Sequence, residues 1–168
     1  MPETVSGEER LFIFRLSGRL FGLPLAVVRE VAPYCALSRP PALPNCLEGF
    51  LNLHGQAAPV IRLDRLLSLP DALPGLDSLL LILRDGASRV ALLVDEALGI
   101  RSVHPDQRSP LKASDGVTAC VSAEAQLREG TALLLSFDLL LLAREQAILA
   151  HLREVEQARL TALEGSVA

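Results

Sequence analysis

Two apolar runs, Ser78-Leu-Leu-Leu-Ile-Leu-Arg84 and Arg89-Val-Ala-Leu-Leu-Val-Asp95, are joined by a short segment that opens with Asp85-Gly86. A D-G pair between two such runs is a strong hairpin signal, because these residues tolerate the positive φ of tight hairpin turns. Neither run alternates apolar with polar side chains. A strand of that kind cannot leave one face in water, so both faces must be covered.

Similar short runs recur along the chain. Leu11–Leu16 and Arg19–Pro24 form a second hairpin across Ser17-Gly18, and residues 1–9 read as a flexible polar tail rather than a signal peptide. Ala26–Val31 is either a single helical turn or a bent strand, stopped by Pro33. Tyr34–Ser38 is a candidate strand, and Arg39–Pro44 is a stiff, extended Pro-rich connector. Asn45–Glu48 makes a short turn into a hairpin over Gly49–Leu63, with His54-Gly55 at its tip and Pro59 opening the second strand. Asp64–Leu69 can form a brief helix, and Pro70–Asp77 is a loop. Ala97–Val103 is a weaker strand, and Pro105–Gly116 is a polar loop. Val117–Ser122 and Thr131–Phe137 then pair across Arg128-Glu129-Gly130.

Asp138 is placed to cap a closing helix that runs to about Leu163. Its apolar positions Ile148, Leu149, Leu152, Val155, Leu160 and Leu163 make a stripe that docks on the rest of the chain, with a coiled coil to a partner as the alternative. Many short strands with turn signals between them, and one real helix at the end, point to a mainly β small-barrel fold. No repeat of solenoid period is visible.

Composition narrows function. Of 168 residues half are hydrophobic, enough for one domain or two subdomains sharing a core. A net charge of −4, with acidic residues interspersed among the arginines, leaves no basic face for nucleic acid and no polybasic membrane patch. The longest apolar run, around Leu139–Ala143, is far short of a membrane span. These features describe a cytoplasmic protein without direct membrane insertion. Cys35, Cys46 and Cys120 are odd in number and outside any C-x-x-C pattern, as expected of small buried side chains in a reducing compartment. His54, His104 and His151 share no metal-ligand spacing, and no nucleophile elbow, phosphate loop or carboxylate pair is present. No metal, cofactor or catalytic set is expected. The rival from another class is a small thiol- or metal-dependent barrel using Cys46 and His54.

The segment Gly49, Asn52, Leu53, Gly55, Pro59, Val60, Leu63 resembles the central pattern of the CheW family of chemotaxis adaptors. Phe12–Leu16, Phe21–Pro24 and Val28–Val31 are similar to that family's opening strands. Pro40–Pro44 is similar to its approach to the central motif, Ala91–Ile100 to its Val-Asp run, and Leu134–Leu139 to its last strand. The match holds in order over roughly residues 10–143.

The resemblance implies two intertwined five-stranded SH3-like barrels over 10–143, with a C-terminal helix over 144–168. It implies no catalysis, and a role coupling a methyl-accepting chemoreceptor tip to the regulatory domain of a CheA-type histidine kinase at receptor arrays on the inner membrane. An isolated kinase regulatory domain would share the fold. Carried over by position, Val28, Glu30, Asn52 and His54 lie on the receptor side, and Gly49, Gly99 and Ile100 on the kinase side. Two departures stand out. Relatives carry Arg where this chain has His54, and Asp where it has Arg62, although Asp64 stands two residues on and faces the same side of a strand. They imply a diverged member serving a dedicated array that controls surface motility, pili or a second messenger. Asn52 and Gly55 are also residues that many hairpin turns need, whatever they contact.

Overall fold

The computed structural model describes residues 7–71, 73–85, 88–111 and 120–165. The described residues form strands β1 (Glu9–Leu16), β2 (Arg19–Pro24), β3 (Val28–Pro33), β4 (Leu47–Leu53) and β5 (Gln56–Ile61), then helix α1 (Leu63–Leu66). Strands β6 (Leu79–Asp85), β7 (Ser88–Val94), β8 (Glu96–Val103), β9 (Arg108–Pro110), β10 (Val121–Leu127) and β11 (Gly130–Leu135) follow, and helix α2 (Phe137–Gly165) closes the chain.

They make two sheets, one in the order β8-β1-β2-β11-β10-β9 and the other in the order β3-β6-β7-β5-β4. The first hairpin therefore leaves its sequence neighbours and joins the C-terminal strands. There β1 pairs with β8, and β2 lies parallel to β11 at Leu20↔Ala132 through Gly22↔Leu134. In the second sheet β7 lies parallel to β5 in the same manner, at Val60↔Ala91 and Ile61↔Leu92. The crossing of β1–β2 to the C-terminal strands ties the two units together.

The unalternating apolar runs are explained by what covers them. Successive side chains of a strand point to opposite faces. In β1, Leu11 and Ile13 enter a cluster with Leu20, Val103, Ala123, Ala125, Ala132 and Leu134, inside the six-stranded sheet. Phe12, Phe14 and Leu16 point the other way. In β6, Leu80 and Ile82 join Leu51, Val60, Ala91 and Leu93 inside the five-stranded sheet, while Leu81 and Leu83 point outward from it. The outward sets of both sheets meet in one shared layer that also takes in Phe21, Leu23, Ile61, Val90, Leu92, Val94 and Leu140 of α2. Phe14 and its register partner Phe21 stack there with ring centroids 5.9 Å apart.

The second half of each unit repeats the same local structure. The Arg62 N–H donates to the Cys46 carbonyl (2.7 Å), and the Ser136 N–H donates to the Cys120 carbonyl (2.8 Å). Both hairpins carry a register shift near their open end, at Leu47/Gly49 and at Val121/Ala123. Each is followed directly by a helix, short in one case and long in the other.

Several expectations change. Ala26–Val31 resolves into a 3₁₀ turn, Leu25–Val27, followed by β3. Tyr34–Ser38 is not a strand: only Ser38 pairs, as an isolated bridge to Phe50. The Pro-rich connector turns at Pro41-Ala42, where Ala42 has φ +57.

Pro59 sits within β5 rather than at its start. Its partner Phe50 turns both backbone groups outward to Ser38, so Pro59 is not asked for a ladder bond, and the β7 pairing begins one residue later.

The loop after Val103 contains a 3₁₀ turn, Pro105–Gln107, and β9, which gives the first sheet six strands rather than five. The strand placed at Val117–Ser122 runs instead from Val121 to Leu127; residues 117–119, like the Gly86-Ala87 turn, lie outside the described residues. Ser136, not Asp138, caps α2. Its hydroxyl accepts the Leu139 N–H (3.4 Å) and its carbonyl the Leu140 N–H (2.9 Å), leaving Asp138 in the first turn. α2 docks through Leu140, Leu141, Ala143, Ala147 and Ile148, whereas the rest of the predicted stripe, from Leu149 on, is exposed.

Phe14→Ala is expected to remove about 3–5 kcal/mol of unfolding free energy, because it empties the shared layer. Leu73→Ala, on a side chain in water, serves as the neutral control. Urea unfolding followed by circular dichroism checks both.

Candidate protein-interaction faces

The β4–β5 hairpin tip is built by its own sequence. His54 and Gly55 have φ of +50 and +87, the positive pair a type I′ turn requires. Gly55 adopts this at no steric cost, and His is among the few other residues enriched there. The Asn52 side-chain oxygen accepts the Gly55 N–H at 2.9 Å and locks the turn. His54 is thereby held out in water. Beside the tip, Ala36, Ser38, Pro40, Phe50, Leu51 and Ala57 line an open groove of about 470 Å³.

Gly49 lies further up β4. A Cβ there would stand 2.8 Å from the Ser38 carbonyl oxygen and 3.0 Å from the Leu37 Cβ, so the crossing segment 37–39 needs glycine. Gly99 has φ +108 where β8 carries an extra residue against Ile13/Phe14 of β1, a bulge that glycine accommodates.

Val28 and Glu30 lie on β3, one edge of the five-stranded sheet, and Asn52 lies on β4, the other edge, with His54 in the turn just beyond it. The pairing directions run β3 and β4 in opposite senses. Val28 and the His54 tip therefore share one end of that unit, and Tyr34 meets Glu48 at the other, at 3.3 Å. Gly99 and Ile100 belong to the other sheet, on its edge strand β8.

Among the described residues, the large apolar side chains exposed on strands are Val31 (40%) and Ile100 (44%), each on an edge strand. Val31 was not singled out by sequence reasoning. A bulge between Val28 and Glu30 resets the alternation, so that Ala32 turns inward to the core and Val31 outward. Only knowledge of the bulge would have found it.

Arg62 is the second residue whose role sequence left open. It is buried (4% exposed) and does face Asp64, also 4% exposed, as a two-pronged pair: Nε to Oδ1 at 2.9 Å and Nη2 to Oδ2 at 2.6 Å. Its Nη1 donates to Glu48 Oε2 at 2.9 Å, and Glu48 Oε1 accepts from Arg39 Nη2 at 2.7 Å. Arg65 pairs with Asp71 at 3.1 Å and donates to the Asn45 carbonyl. Arg39, Arg62 and Arg65 thus balance Glu48, Asp64 and Asp71. The Arg62 charge is satisfied inside the fold rather than offered to a partner. Burial alone would push the Asp64 carboxyl up, but the hydrogen bonds and charge of Arg62, with the Arg65 N–H, hold it below the usual aspartate range. The Asp64 bonds, more than any other influence, keep Arg62 protonated.

The pair invoked for thiol chemistry is not assembled. Cys46 is buried ahead of β4 and His54 lies beyond its far end, roughly 25 Å away along an extended strand. Burial pushes the Cys46 thiol up, and the Cys120 thiol to about 11, which leaves both as poor nucleophiles. His104 meets Glu8 at 2.6 Å, and the His151 ring nitrogen lies 3.1 Å from the Ala42 carbonyl. Among the described residues no group of three or more His, Cys, Asp or Glu is placed to hold a metal, and no helix is long and apolar enough to cross a membrane.

Two sheets around a shared apolar layer, each with an exposed edge strand, define a double-barrel β domain. A sequence model of the CheW-like domain matches residues 10–145, and the chain belongs to that family. It is 28% identical over 145 residues to the chemotaxis protein CheW of Treponema pallidum (strain Nichols), covering 83% of this chain and 85% of the relative. It is 25% identical over 107 residues to the chemotaxis protein CheW of Bacillus subtilis (strain 168), covering 64% and 69%. The crystal structure of the scaffolding protein TtCheW from Thermoanaerobacter tengcongensis superposes with a TM-score of 0.69 at 23% identity, over 77% of this chain and 89% of that one, and shares the fold.

Asp64→Ala leaves Arg62 buried without its principal counter-charge and is expected to cost about 3–5 kcal/mol. Arg39→Ala, on an exposed side chain, is expected to cost under about 1 kcal/mol in the same urea titration. The Asp64 carboxyl titrates lower in the folded chain than in the unfolded one. Its contribution is therefore complete above the unfolded aspartate value of about 3.9 and is lost as pH falls below it; Asp64→Asn should flatten the acid limb of stability against pH. In a thiol titration at neutral pH the exposed Cys35 should react promptly, and Cys46 and Cys120 only after denaturation.

Proposed function

We propose that this chain is a non-catalytic adaptor that couples a methyl-accepting chemoreceptor tip to the regulatory domain of a CheA-type histidine kinase, in the cytoplasm at receptor arrays. The observation that carries the reading is the pair of exposed apolar residues on edge strands, Val31 on β3 and Ile100 on β8. An edge strand in water is ordinarily blunted by charge or kept short, and an apolar one favours a partner's surface. Membership of the CheW-like family supports this choice of partners. Val28, Glu30, Asn52 and His54, with Val31, serve the receptor. That assignment is supported by strand directions that put Val28 and the His54 tip at one end of the five-stranded unit. Gly49, Gly99 and Ile100 serve the kinase, Ile100 through side-chain contact and the glycines through the backbone shapes they permit.

His54 gives the receptor contact its particular character. A neutral imidazole has one donor where arginine presents a fork of five, so a receptor suited to this chain differs from one suited to an arginine-bearing relative. That difference supports a dedicated pathway rather than a shared array.

Burying one such side chain is worth about 1.5–3 kcal/mol, or roughly 10- to 100-fold in affinity. Val31→Asp should weaken binding to the cognate receptor tip by about that factor and leave kinase binding unchanged, and Ile100→Asp should do the reverse, with thermal unfolding unaltered. Isothermal titration against both purified partners checks this; wild-type protein that binds neither overturns the reading. His54→Arg should shift preference toward a heterologous receptor, and equal affinities before and after remove the specificity argument.

A further inference from the structure

α2 is 29 residues long, about 44 Å at 1.5 Å per residue, and only its first half rests on the protein. Docking ends at Ile148, with His151 touching the Ala42 carbonyl just beyond. From Leu152 to Gly165 the chain is helical and every residue is exposed. An isolated helix of about that length is marginal in water, and covering its exposed apolar side chains would stabilise it.

The exposed leucines of distal α2 have a symmetry, which the exposed Val155 does not share. Leu152 and Leu160 lie four residues either side of Glu156, and Leu149 and Leu163 lie seven residues either side. All four are between 43% and 56% exposed. At 100° per residue they share one face with Glu156, away from the docked Leu140, Ala143 and Ala147, while the docked Leu141 and Ile148 flank that face on the Leu152 side. A stripe that reads the same in both directions is complementary to itself when a second helix runs antiparallel. Leu149 then meets Leu163 of the other copy, Leu152 meets Leu160, and the two Glu156 residues lie at the dyad.

The charges agree with that register. Arg159 holds Glu156 through both carboxylate oxygens, at 2.7 and 3.1 Å, so each copy brings a neutralised carboxylate to the dyad. Antiparallel pairing sets one Arg159 on each side of the two Glu156 carboxylates, within one helical turn of both. A parallel pair would instead stack Arg159 on Arg159, which is unfavourable. The stripe is also continuous with an apolar groove between α2 and the β4–β5 hairpin, lined by Leu47, Phe50, Pro59, Ile148 and Leu149, where the far end of the second helix would arrive.

We propose that the distal half of α2 is a homodimerisation surface, on which a second copy of this chain docks as an antiparallel helix pair centred on Glu156. The dimer presents two adaptor domains at opposite ends of one rod and makes the chain bivalent, independently of which partners its strands engage.

The test uses the full chain. Sedimentation equilibrium over a broad concentration series should give a monomer–dimer equilibrium. Leu152→Asp with Leu160→Asp should abolish it, with the β-sheet dichroism retained. Glu156→Leu should tighten it by about tenfold or more, since the change buries a leucine pair at the dyad. In a Cys35→Ser background, oxidation of Leu149→Cys mixed with Leu163→Cys should give the mixed disulfide in preference to either self-disulfide, and Glu156→Cys should cross-link to itself. A wild-type chain monomeric at every concentration overturns the proposal. So does a Leu149→Cys self-disulfide as the main product, which marks a parallel pair.

Discussion

Two hairpins, β1–β2 and β6–β7, are apolar on both faces, and the rest of the fold follows from that constraint. Each must fill the inside of one sheet with one set of side chains and find cover for the other set. The solution is a shared layer in which Phe12, Phe14, Leu16 and Phe21 of one hairpin meet Leu81, Leu83, Leu92 and Val94 of the other. Since every one of these residues is removed from water, separating the two units would expose the whole layer, at roughly 25 cal/mol per Å² of apolar surface. The placement of β1–β2 reinforces this, because that hairpin sits among β8–β11 while the strand that follows it in sequence, β3, lies in the other unit. The consequence is rigidity: surfaces on the two sheets keep a fixed separation.

Polar residues in the interior obey a different logic. Arg62 and Asp64 are buried because they are paired in two places and because Glu48 extends the pair toward the surface. Such a network contributes less net stability than an apolar substitute of equal volume, yet it is costly to break. It clamps the open end of the β4–β5 hairpin to α1, while Asn52 clamps the tip. A hairpin fixed at both ends displays His54 with little freedom left to lose on binding, and that preorganisation favours affinity.

What the sequence disclosed and what it hid divide along one line. Features decided within a few residues were legible: the Leu79–Val94 hairpin, the His54-Gly55 tip with its positive φ, the turn into β4. Features decided by distant neighbours were not. Ser136 and Asp138 are both capable caps, and Ser136 wins because β11 is held in place up to it by the Cys120 carbonyl. Pro59 is tolerated inside a strand because Ser38, far upstream in the chain, occupies the backbone of its partner Phe50. Val31 points outward because of a bulge that no side chain announces. Arg62 read as a reversal of charge with Asp64 on its side of the strand, and only the fold shows that the pair is buried and joined by Glu48. The family pattern ordered the site residues along the chain, but it could not tell that they fall on two edges of one sheet and one edge of another.

The internal repetition adds a last step. β4–β5 with α1 and β10–β11 with α2 are the same local structure, down to the hydrogen bond that joins each helix start to the cysteine before its hairpin. From equivalent beginnings the two helices diverge: α1 stops after a turn, where Arg62, Asp64 and Arg65 spend their charges on one another, and α2 continues past the shared layer. A two-fold scaffold of equal units would offer equal surfaces and so could not tell one partner from another. The chain breaks that equality with one charged clamp, one long helix and one histidine-tipped hairpin, each placed where the other unit has something different. These differences are confined to the periphery, so the apolar layer that both halves share is left intact.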